Sequence, residues 1–323
     1  MWKNDLEPLT HTVGANKEWN ESYYLCFSDR KNHLSGMTRL GFKPNKDEAM
    51  TFFLLFLPDG SVAGFQATEH MKNFPNNLSA AGMVHERLLD GNWRYSFSVR
   101  MFTVRDPFDF SKIRLQPDLI TETPNVTLNL SFQPINPTYE YAKNMTPESL
   151  ELGKKSGDEH WEQIALLNGE VKVGEKLYKL EDVIGERDHT HGVRDWTGIG
   201  DWLYYVVWFG TDLAINPAAI IADDGRISVG GFLYKNGRNI PLIRLRILEQ
   251  QYRDNVVPVS STLELTDAEG EKHLLVAKAG PVVPLPFTDA GRVSVLAQSF
   301  GEFELDGRKG GYGTYETLRI LRG

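Results

Sequence analysis

The chain has 323 residues and a formal net charge of −8, with 35 Lys and Arg against 43 Asp and Glu. This acidic balance, without a run of like charge, argues against nucleic acid as a partner, because phosphate binding depends on clustered Lys and Arg. A hydrophobic fraction of 41% and a charged fraction of 24% are typical of a globular protein with one large or two ordinary domains. The aromatic fraction of 11% indicates strands and a large apolar interior.

The single cysteine, Cys26, excludes an internal disulfide and a cysteine-based zinc site, which fits a reducing cytoplasm. The N-terminus contains acids and a proline where a signal peptide requires an apolar stretch. The longest apolar runs, residues 50–57 and 202–209, are far shorter than the roughly 20 residues that cross a bilayer. We therefore expect a cytoplasmic protein without a membrane span.

Strand signals dominate the chain. Residues 93–101 and 125–132 alternate apolar and polar side chains, a period of two that predicts strands with one buried face. Asp-Gly and Asn-Gly pairs accept the positive φ angles of tight turns and predict repeated antiparallel hairpins; they begin at residues 59, 90, 168, 224, 236 and 306. Across the pair at 236, segments 231–235 and 240–248 are expected to pair.

A short helix and a polar segment interrupt these strands. Thr146 is placed to cap a helix that starts at Pro147 and that Gly153 ends within two turns. Residues 146–159 are polar and lack periodicity, so we interpret them as a linker near a domain boundary.

Both halves of the chain are rich in strands with similar hairpin spacing. The predicted fold is all-β, with two antiparallel β-barrel or β-sandwich domains packed together, covering residues 1–157 and 158–323. No dinucleotide-binding, P-loop, nucleophile-elbow or zinc-protease motif occurs in the sequence, and we expect no organic cofactor.

Residue types that carry chemistry are concentrated in segment 185–196, Gly-Glu-Arg-Asp-His-Thr-His-Gly-Val-Arg-Asp-Trp. In an extended strand, alternate side chains project to opposite faces, which places Arg187, His189 and His191 on one face and Asp188 and Thr190 on the other.

Two interpretations follow from these residues alone. The first is an ion-pair network of Arg187, Asp188, Arg194 and Asp195 that imitates an active site in charge content. The second is a metal or haem site, because a His-x-His pair can supply two ligands; a third would come from His160, Glu162 or His273, and the spacing specifies none of them.

The same segment resembles the motif R-D-H-x-W-G-x-R-D-W of a bacterial family related to the lipocalin-like carotenoid 1,2-hydratase and AttH proteins. Residues 161–171, 200–208 and 311–316 are also similar to that family. The resemblance implies two lipocalin-like β-barrels with an apolar cavity, and an activity on isoprenoid or other lipophilic unsaturated molecules. The sequence departs from the pattern at His191, where the family usually has Trp.

If the resemblance holds, the reaction is acid–base chemistry at an alkene: hydration, dehydration, isomerisation or cyclisation of a terpenoid, carotenoid or aromatic substrate. Protonation of an alkene requires an acid, which Asp188 or His189 supplies, since burial raises the pKa of a carboxyl. His191 adds a second proton-transfer group.

The same mechanism predicts residues that contact the substrate, among them aromatic side chains, because aromatic faces stabilise a cation. The predicted binding residues are Trp196, Trp202, Tyr204, Trp208, Arg187, Arg194, Asp195 and Glu162.

The expected partner is a small lipophilic substrate, and a homodimer is left open. One alternative is a non-catalytic protein that binds a lipophilic ligand in a barrel, with the Arg–Asp pairs as structural contacts. Another is a His-ligated haem or metal oxygenase, which the histidine at position 191 motivates.

Overall fold

The structure, a computed structural model, describes residues 7–72, 74–153, 157–194, 196–289 and 291–321. These residues divide into two compact units: Met1–Thr138 with Asp158–Val193, and Tyr139–Gly157 with Arg194–Gly323.

Strands make up most of both units, which confirms the all-β prediction. In chain order the strands are β1 (Trp19–Asp29), β2 (Leu34–Lys43), β3 (Glu48–Phe56), β4 (Val62–His70), β5 (Leu78–Ala80), β6 (Met83–Arg87), β7 (Trp93–Arg100), β8 (Phe102–Val104), β9 (Ile120–Glu122), β10 (Asn125–Pro134), β11 (Tyr139–Glu140), β12 (Glu159–Val173), β13 (Lys176–Val193), β14 (Asp201–Trp208), β15 (Leu213–Ile221), β16 (Ile227–Lys235), β17 (Arg238–Arg253), β18 (Val257–Asp267), β19 (Lys272–Asp289), β20 (Arg292–Leu305) and β21 (Arg308–Leu321).

Helices are short. The α-helices are α1 (Tyr141–Asn144) and α2 (Pro147–Gly153), and the 3₁₀ helices are Pro44–Lys46, Pro107–Lys112 and Pro117–Leu119. No helix in the described ranges has the length and apolar character needed to cross a membrane.

In the first unit the strands form an open sheet in the order β5-β6-β7-β10-β12-β13-β1-β2-β3-β4-β8-β9. Strand β13 lies in the middle and pairs antiparallel with β12 on one side and with β1 on the other. One face of the sheet buries a large apolar core that includes Leu25, Phe27, Phe42, Phe97 and Phe132.

The first unit contains strands from both sides of the predicted domain boundary at residue 157. Strands β12 and β13 were assigned by sequence to the second domain, but they lie in the first unit, whereas Tyr139–Gly157 lies in the second. The reason is the long-range pairing of β13 with β1, from Trp19 opposite Val193 to Ser28 opposite Ile184. Local sequence patterns do not encode such a pairing.

In the described part of the second unit, strands β14 to β21 close into a barrel in sequence order. This is the up-and-down arrangement of lipocalin barrels. Its core contains Leu203, Tyr205, Val207, Phe303 and Tyr315. The predicted lipocalin-like fold is therefore confirmed.

Most of the predicted local elements are present. Strands β7 and β10 alternate buried and exposed side chains as expected, β16 pairs with β17 across the turn at Asn236, and α2 begins at Pro147. The Thr146 side chain accepts a hydrogen bond from the Ser149 backbone N–H.

The predicted hairpin at Asn168-Gly169 is wrong. These residues lie inside β12 at a β-bulge, where the register with β13 shifts. Gly169 has a φ of +144°, and a Cβ there would lie 2.1 Å from the carbonyl oxygen of Asn129, so only glycine fits. The chain instead turns at residues 174–175, between β12 and β13.

Candidate functional site

The candidate site lies on three neighbouring strands of the first unit. The register places Trp161 of β12, His189 of β13 and Tyr23 of β1 side by side, with His189 in the middle. Arg187 and His191 share the face of His189, because side chains two residues apart on a strand point the same way. This is the face that the sequence predicted for these three residues.

His189 is completely buried between aromatic rings and carboxylates. Its ring stacks on Tyr23 at a centroid distance of 4.4 Å and lies 5.3 Å from Trp161. Its Nε2 atom is 2.9 Å from Glu21 Oε1, and its Nδ1 atom is 3.8 Å from Glu7 Oε1. Nδ1 has no hydrogen-bond partner among the described residues.

Arg187 fixes one of these carboxylates. It donates two hydrogen bonds to Glu7, of 2.7 Å and 3.1 Å, in a bidentate pair, and it also donates to Gln163 Oε1. Its guanidinium lies 4.8 Å from the ring centroid of Trp93. A buried arginine with this many contacts holds Glu7 in one position.

The N-terminal segment supplies two of the groups around His189. Glu7 comes from this segment, and so does His11, whose Nδ1 atom is 2.7 Å from Glu21 Oε1. The chain here is held by Tyr23, which donates a hydrogen bond to the Leu9 carbonyl. Glu21 therefore lies between two histidines, and His11, which is partly exposed, connects His189 to the surface.

His191 occupies a more open place on the same face. Its ring stacks on His11 at 3.9 Å, and its Nε2 atom is 3.4 Å from Glu159 Oε2. The side chain is 13% exposed, whereas that of His189 is fully buried. Its Nδ1 atom has no hydrogen-bond partner within the described ranges.

The environments of the two histidines shift their pKa values in opposite directions. Burial alone would lower the pKa of His189, but its contacts with Glu21 and Glu7 outweigh burial and raise it above the ordinary value. Burial and the adjacent His11 lower the pKa of His191, and Glu159 offsets only part of this. Near neutral pH the arrangement therefore favours a protonated His189 beside a neutral His191.

The two glutamates remain ionised. Burial by itself raises the pKa of Glu7, but the contacts with Arg187 and His189 outweigh burial and hold this pKa well below its usual range. Glu21 shows the same balance, with its histidine partners outweighing burial and lowering its pKa.

Two overlapping groups of these side chains could hold a metal ion. They are His11, Glu21 and His189, and His11, Glu159 and His191; within each group the ligand atoms lie within 4.8 Å of one another. Two histidines and one carboxylate match the donors that zinc and non-haem iron accept. His189 and His191 fall in different groups, each with His11 and one glutamate. The predicted site, with both histidines on one metal and a third ligand from His160, Glu162 or His273, therefore has a different composition.

Other predicted site residues lie on the opposite face of the same strands. Asp188 and Glu162 are register partners there, as strand alternation requires. Glu162 Oε1 is 2.6 Å from His160 Nε2, and His160 Nδ1 is 2.6 Å from Thr190 Oγ1. The structure therefore separates Asp188 and Glu162 from the face that carries His189.

The predicted aromatic residues lie in the second unit, on the outer side of its barrel. The side chains of β14 that enter the barrel core are Leu203, Tyr205 and Val207. Trp202 belongs to a separate apolar cluster, with Trp196 and Tyr204 packed against it. Arg194 lies 5.2 Å from the ring centroid of Trp196. Trp208 is buried on the same side of β14 as Trp202, and Asp195 lies outside the described residues.

The expected ion-pair network is present in part, with a different partner. Arg187 pairs with Glu7, which sequence reasoning missed because residues 7–11 carry no periodic pattern. Glu21 offered a signal: it is an acid among Trp19, Tyr23, Leu25 and Phe27 on one face of a strand. A carboxylate on an apolar face needs a cationic or hydrogen-bonding partner, so Glu21 indicates a buried polar site on this face.

Comparisons with solved structures agree with the fold. The chain is similar to a protein described as AttH from Nitrosomonas europaea, with a TM-score of 0.59, 13% sequence identity, and coverage of 96% of this chain and 95% of that chain. It is also similar to kievitone hydratase from Nectria haematococca, with a TM-score of 0.57, 10% identity, and coverage of 94% and 90%. The expected relation to AttH and hydratase proteins is thus confirmed at the level of the fold.

A search of curated proteins found no match. A family model does match, over residues 5–319 and therefore across both units. The chain belongs to the family described as Domain of unknown function (DUF7064).

Proposed function

We propose that this protein is an acid–base enzyme, a hydratase, dehydratase, isomerase or cyclase, that acts on an alkene of a lipophilic terpenoid, carotenoid or aromatic molecule. The observation that carries the proposal is the pair of histidines on one face of β13. Each has an Nδ1 atom without a hydrogen-bond partner among the described residues, and the two differ in charge environment. Titratable groups whose pKa values are pushed apart are typical of an acid and a base.

His189 is the proposed acid. Its Nδ1 proton transfers to one alkene carbon, so that a C–H bond forms, the π bond breaks, and the other carbon becomes a cation. Glu7 and Glu21 stabilise this charge electrostatically, and the rings of Tyr23 and Trp161 add cation–π attraction.

His191 is the proposed base. It lies two residues along the strand, about 7 Å from His189. As water attacks the cation through oxygen, His191 Nδ1 accepts a water proton, and the net change is the addition of one water molecule. For isomerisation, His191 instead removes a proton from a neighbouring carbon. His189 Nε2 keeps its own proton against Glu21, which His11 also contacts. The cycle closes when solvent returns a proton to His189 Nδ1 and His191 Nδ1 releases the proton that it accepted.

The test measures transfer of a solvent proton to carbon. The protein is incubated in D₂O with a panel of monoterpenes, carotenes and alkenyl phenols, and products are analysed by mass spectrometry for deuterium in C–H bonds and for added water. The wild-type protein should incorporate deuterium, and His189→Gln should lose at least about 100-fold in rate, the lower end of a general-acid contribution.

A matched control is available in the second unit. His273 also lies between two carboxylates, Asp267 and Asp306, so His273→Gln removes a similar side chain and should keep full activity. Full activity in His189→Gln would overturn the proposal. Binding of a panel member without any exchange or product would favour the ligand-binding alternative.

The pH dependence has a defined sign. Activity requires a neutral His191, whose pKa is lowered, so it should fall only at a pH below about 6.5, the ordinary value for histidine. It also requires a protonated His189, whose pKa is raised, so it should fall on the alkaline side at a pH above about 6.5. The profile of kcat/KM should be bell-shaped, and His191→Asn should lose its acidic limb.

A second candidate is metal-assisted hydration, favoured by the close grouping of His11, Glu21 and His189. Chelation followed by dialysis distinguishes it. Loss of activity that Zn²⁺, Fe²⁺ or Co²⁺ restores, with about one metal ion per chain, would support the metal site over histidine acid–base chemistry.

A further inference from the structure

A third histidine is buried in the core of the first unit, and the proposed mechanism does not use it. His85 lies on β6 directly opposite Tyr95 of β7 and is only 2% exposed. Its ring packs edge-on against Tyr95 at 4.7 Å and against Tyr23 at 6.4 Å. Among the described residues, neither ring nitrogen has a hydrogen-bond partner.

Trp93 adds a second group of this kind. Trp93 is the register partner of Arg87, and His85 is the register partner of Tyr95. His85 and Trp93 are therefore diagonal neighbours on one face of the sheet, with about 7–8 Å between their Cα atoms. The indole is 1% exposed, and its Nε1 atom has no partner in the described part of the chain. Arg187 lies over its ring face, which leaves the N–H at the ring edge available.

Two neighbouring core side chains whose polar atoms have no hydrogen-bond partner within the described ranges are unusual. Most buried polar atoms are hydrogen-bonded, because desolvation without a partner destabilises the folded state. Burial lowers the pKa of His85 to about 3, so the imidazole is neutral at physiological pH and offers one donor and one acceptor. The indole N–H is a donor only.

We propose that His85 and Trp93 form a subsite that binds a hydroxyl group of the substrate. The hydroxyl oxygen accepts the indole N–H, and its hydrogen is donated to the imidazole nitrogen. A hydrocarbon would leave both groups unpaired, so the substrate class narrows to lipophilic alcohols and phenols. This inference rests on the proposed function, because that function identifies the bound molecule as the substrate.

The position of Tyr23 connects the subsite to the proposed acid. Tyr23 packs edge-to-face with His85 at 6.4 Å and stacks on His189 at 4.4 Å. A bound molecule would therefore present its hydroxyl to His85 and its alkene to His189, two histidines that share the contact with Tyr23.

The experiment compares three probes by isothermal titration calorimetry: 4-hexylphenol, 4-hexylanisole and hexylbenzene. The phenol donates and accepts, the anisole only accepts, and hexylbenzene does neither. Wild-type protein should bind the phenol about tenfold more tightly than either analogue, a factor equivalent to about 1.4 kcal/mol. His85→Phe and Trp93→Phe should each lose this preference while still binding hexylbenzene.

Met83→Leu is the matched control. Met83 is buried two residues before His85, on the same face of β6, and this apolar substitution should keep the preference for the phenol. Trp93→Phe provides an independent test if His85→Phe does not fold.

Equal affinity for the three probes, binding of none of them, or an unchanged preference in both variants would overturn the subsite. Equal affinity for the phenol and the anisole would overturn the hydroxyl assignment. The result is separable from the proposed reaction, since His189→Gln should lose turnover and retain the phenol preference. A wild-type protein that shows this preference but no deuterium exchange would contradict the reaction and leave the subsite standing.

Discussion

Among the described residues, two histidines lie between pairs of carboxylates, one in each unit. In the second unit, His273 is 2.8 Å from Asp306 and 3.2 Å from Asp267, and both aspartates lie at hairpin turns of the barrel. Asp267 also accepts the backbone N–H groups of Glu269 and Glu271, and Asp306 accepts that of Leu274. In the first unit, His189 lies between Glu7 and Glu21 deep in the core.

The surroundings of these two groups differ. Asp306 is 46% exposed, and the His273 group ties neighbouring turns together at the rim of the barrel. The His189 group is completely buried and has aromatic walls, and one of its nitrogens has no hydrogen-bond partner in the part of the chain that the structure describes. Similar residue types thus give a structural contact in one place and a candidate catalytic site in the other. Burial decides between them, because desolvation magnifies every charge interaction and must be offset by specific partners.

The largest effect should come from breaking the buried network. Arg187→Met leaves Glu7 buried without its bidentate guanidinium partner, and the free energy of unfolding should fall by about 3–5 kcal/mol. Urea denaturation at pH 7 measures this. The double variant Arg187→Met with Glu7→Leu should recover much of the loss, because it removes both charges. A single variant as stable as wild type would show that the network is solvated.

A smaller effect should follow from His85. Its pKa is about 3 in the folded state and about 6.5 when unfolded, so the unfolded state binds more protons between these values and stability falls as the pH falls. Between pH 7 and pH 4.5 the titration of His85 should lower the free energy of unfolding by about 2–3 kcal/mol.

His85→Phe should remove that part of the acid sensitivity, and denaturant midpoints of both proteins at the two pH values test it. The control is His70→Gln, which alters an exposed histidine. An identical acid sensitivity in wild type and His85→Phe would show that His85 is protonated in the folded protein.

The smallest effect is expected at the barrel rim. His273→Gln should lower the free energy of unfolding by about 1 kcal/mol or less, since a partly exposed pair is screened by solvent and Asp267 keeps its backbone partners. Thermal denaturation followed by circular dichroism provides the measurement. A loss of stability as large as that of Arg187→Met would show that the His273 group and the His189 group contribute equally to the free energy of unfolding.

The local parts of the fold could be predicted from the sequence. The period of two in residues 93–101 and 125–132 identified strands β7 and β10, and five of the six Gly-containing pairs lie at hairpin turns. The sixth, Asn168-Gly169, forms a bulge, because glycine accepts the φ of +144° at this bulge as well as the positive φ angles of tight turns. Which of the two forms depends on the partner strand.

The candidate site was predictable only in part. The alternation at Arg187, His189 and His191 placed them correctly on one face, because that relation depends on neighbouring residues in one strand. The run 202–208 is apolar on both faces, so periodicity did not show that Leu203, Tyr205 and Val207, rather than Trp202, Tyr204 and Trp208, enter the barrel core.

By itself, then, the sequence determined an all-β protein of repeated hairpins and one strand face with an arginine and two histidines. Tertiary structure decided which charges meet them: Glu7 lies 180 positions from Arg187 and Glu21 lies 168 positions from His189. It also decided that β12 and β13 join the first unit and that the buried His85 has no hydrogen-bond partner among the described residues. Alternation and turn preference act over a few residues, whereas strand pairing and burial are set by contacts between distant parts of the chain.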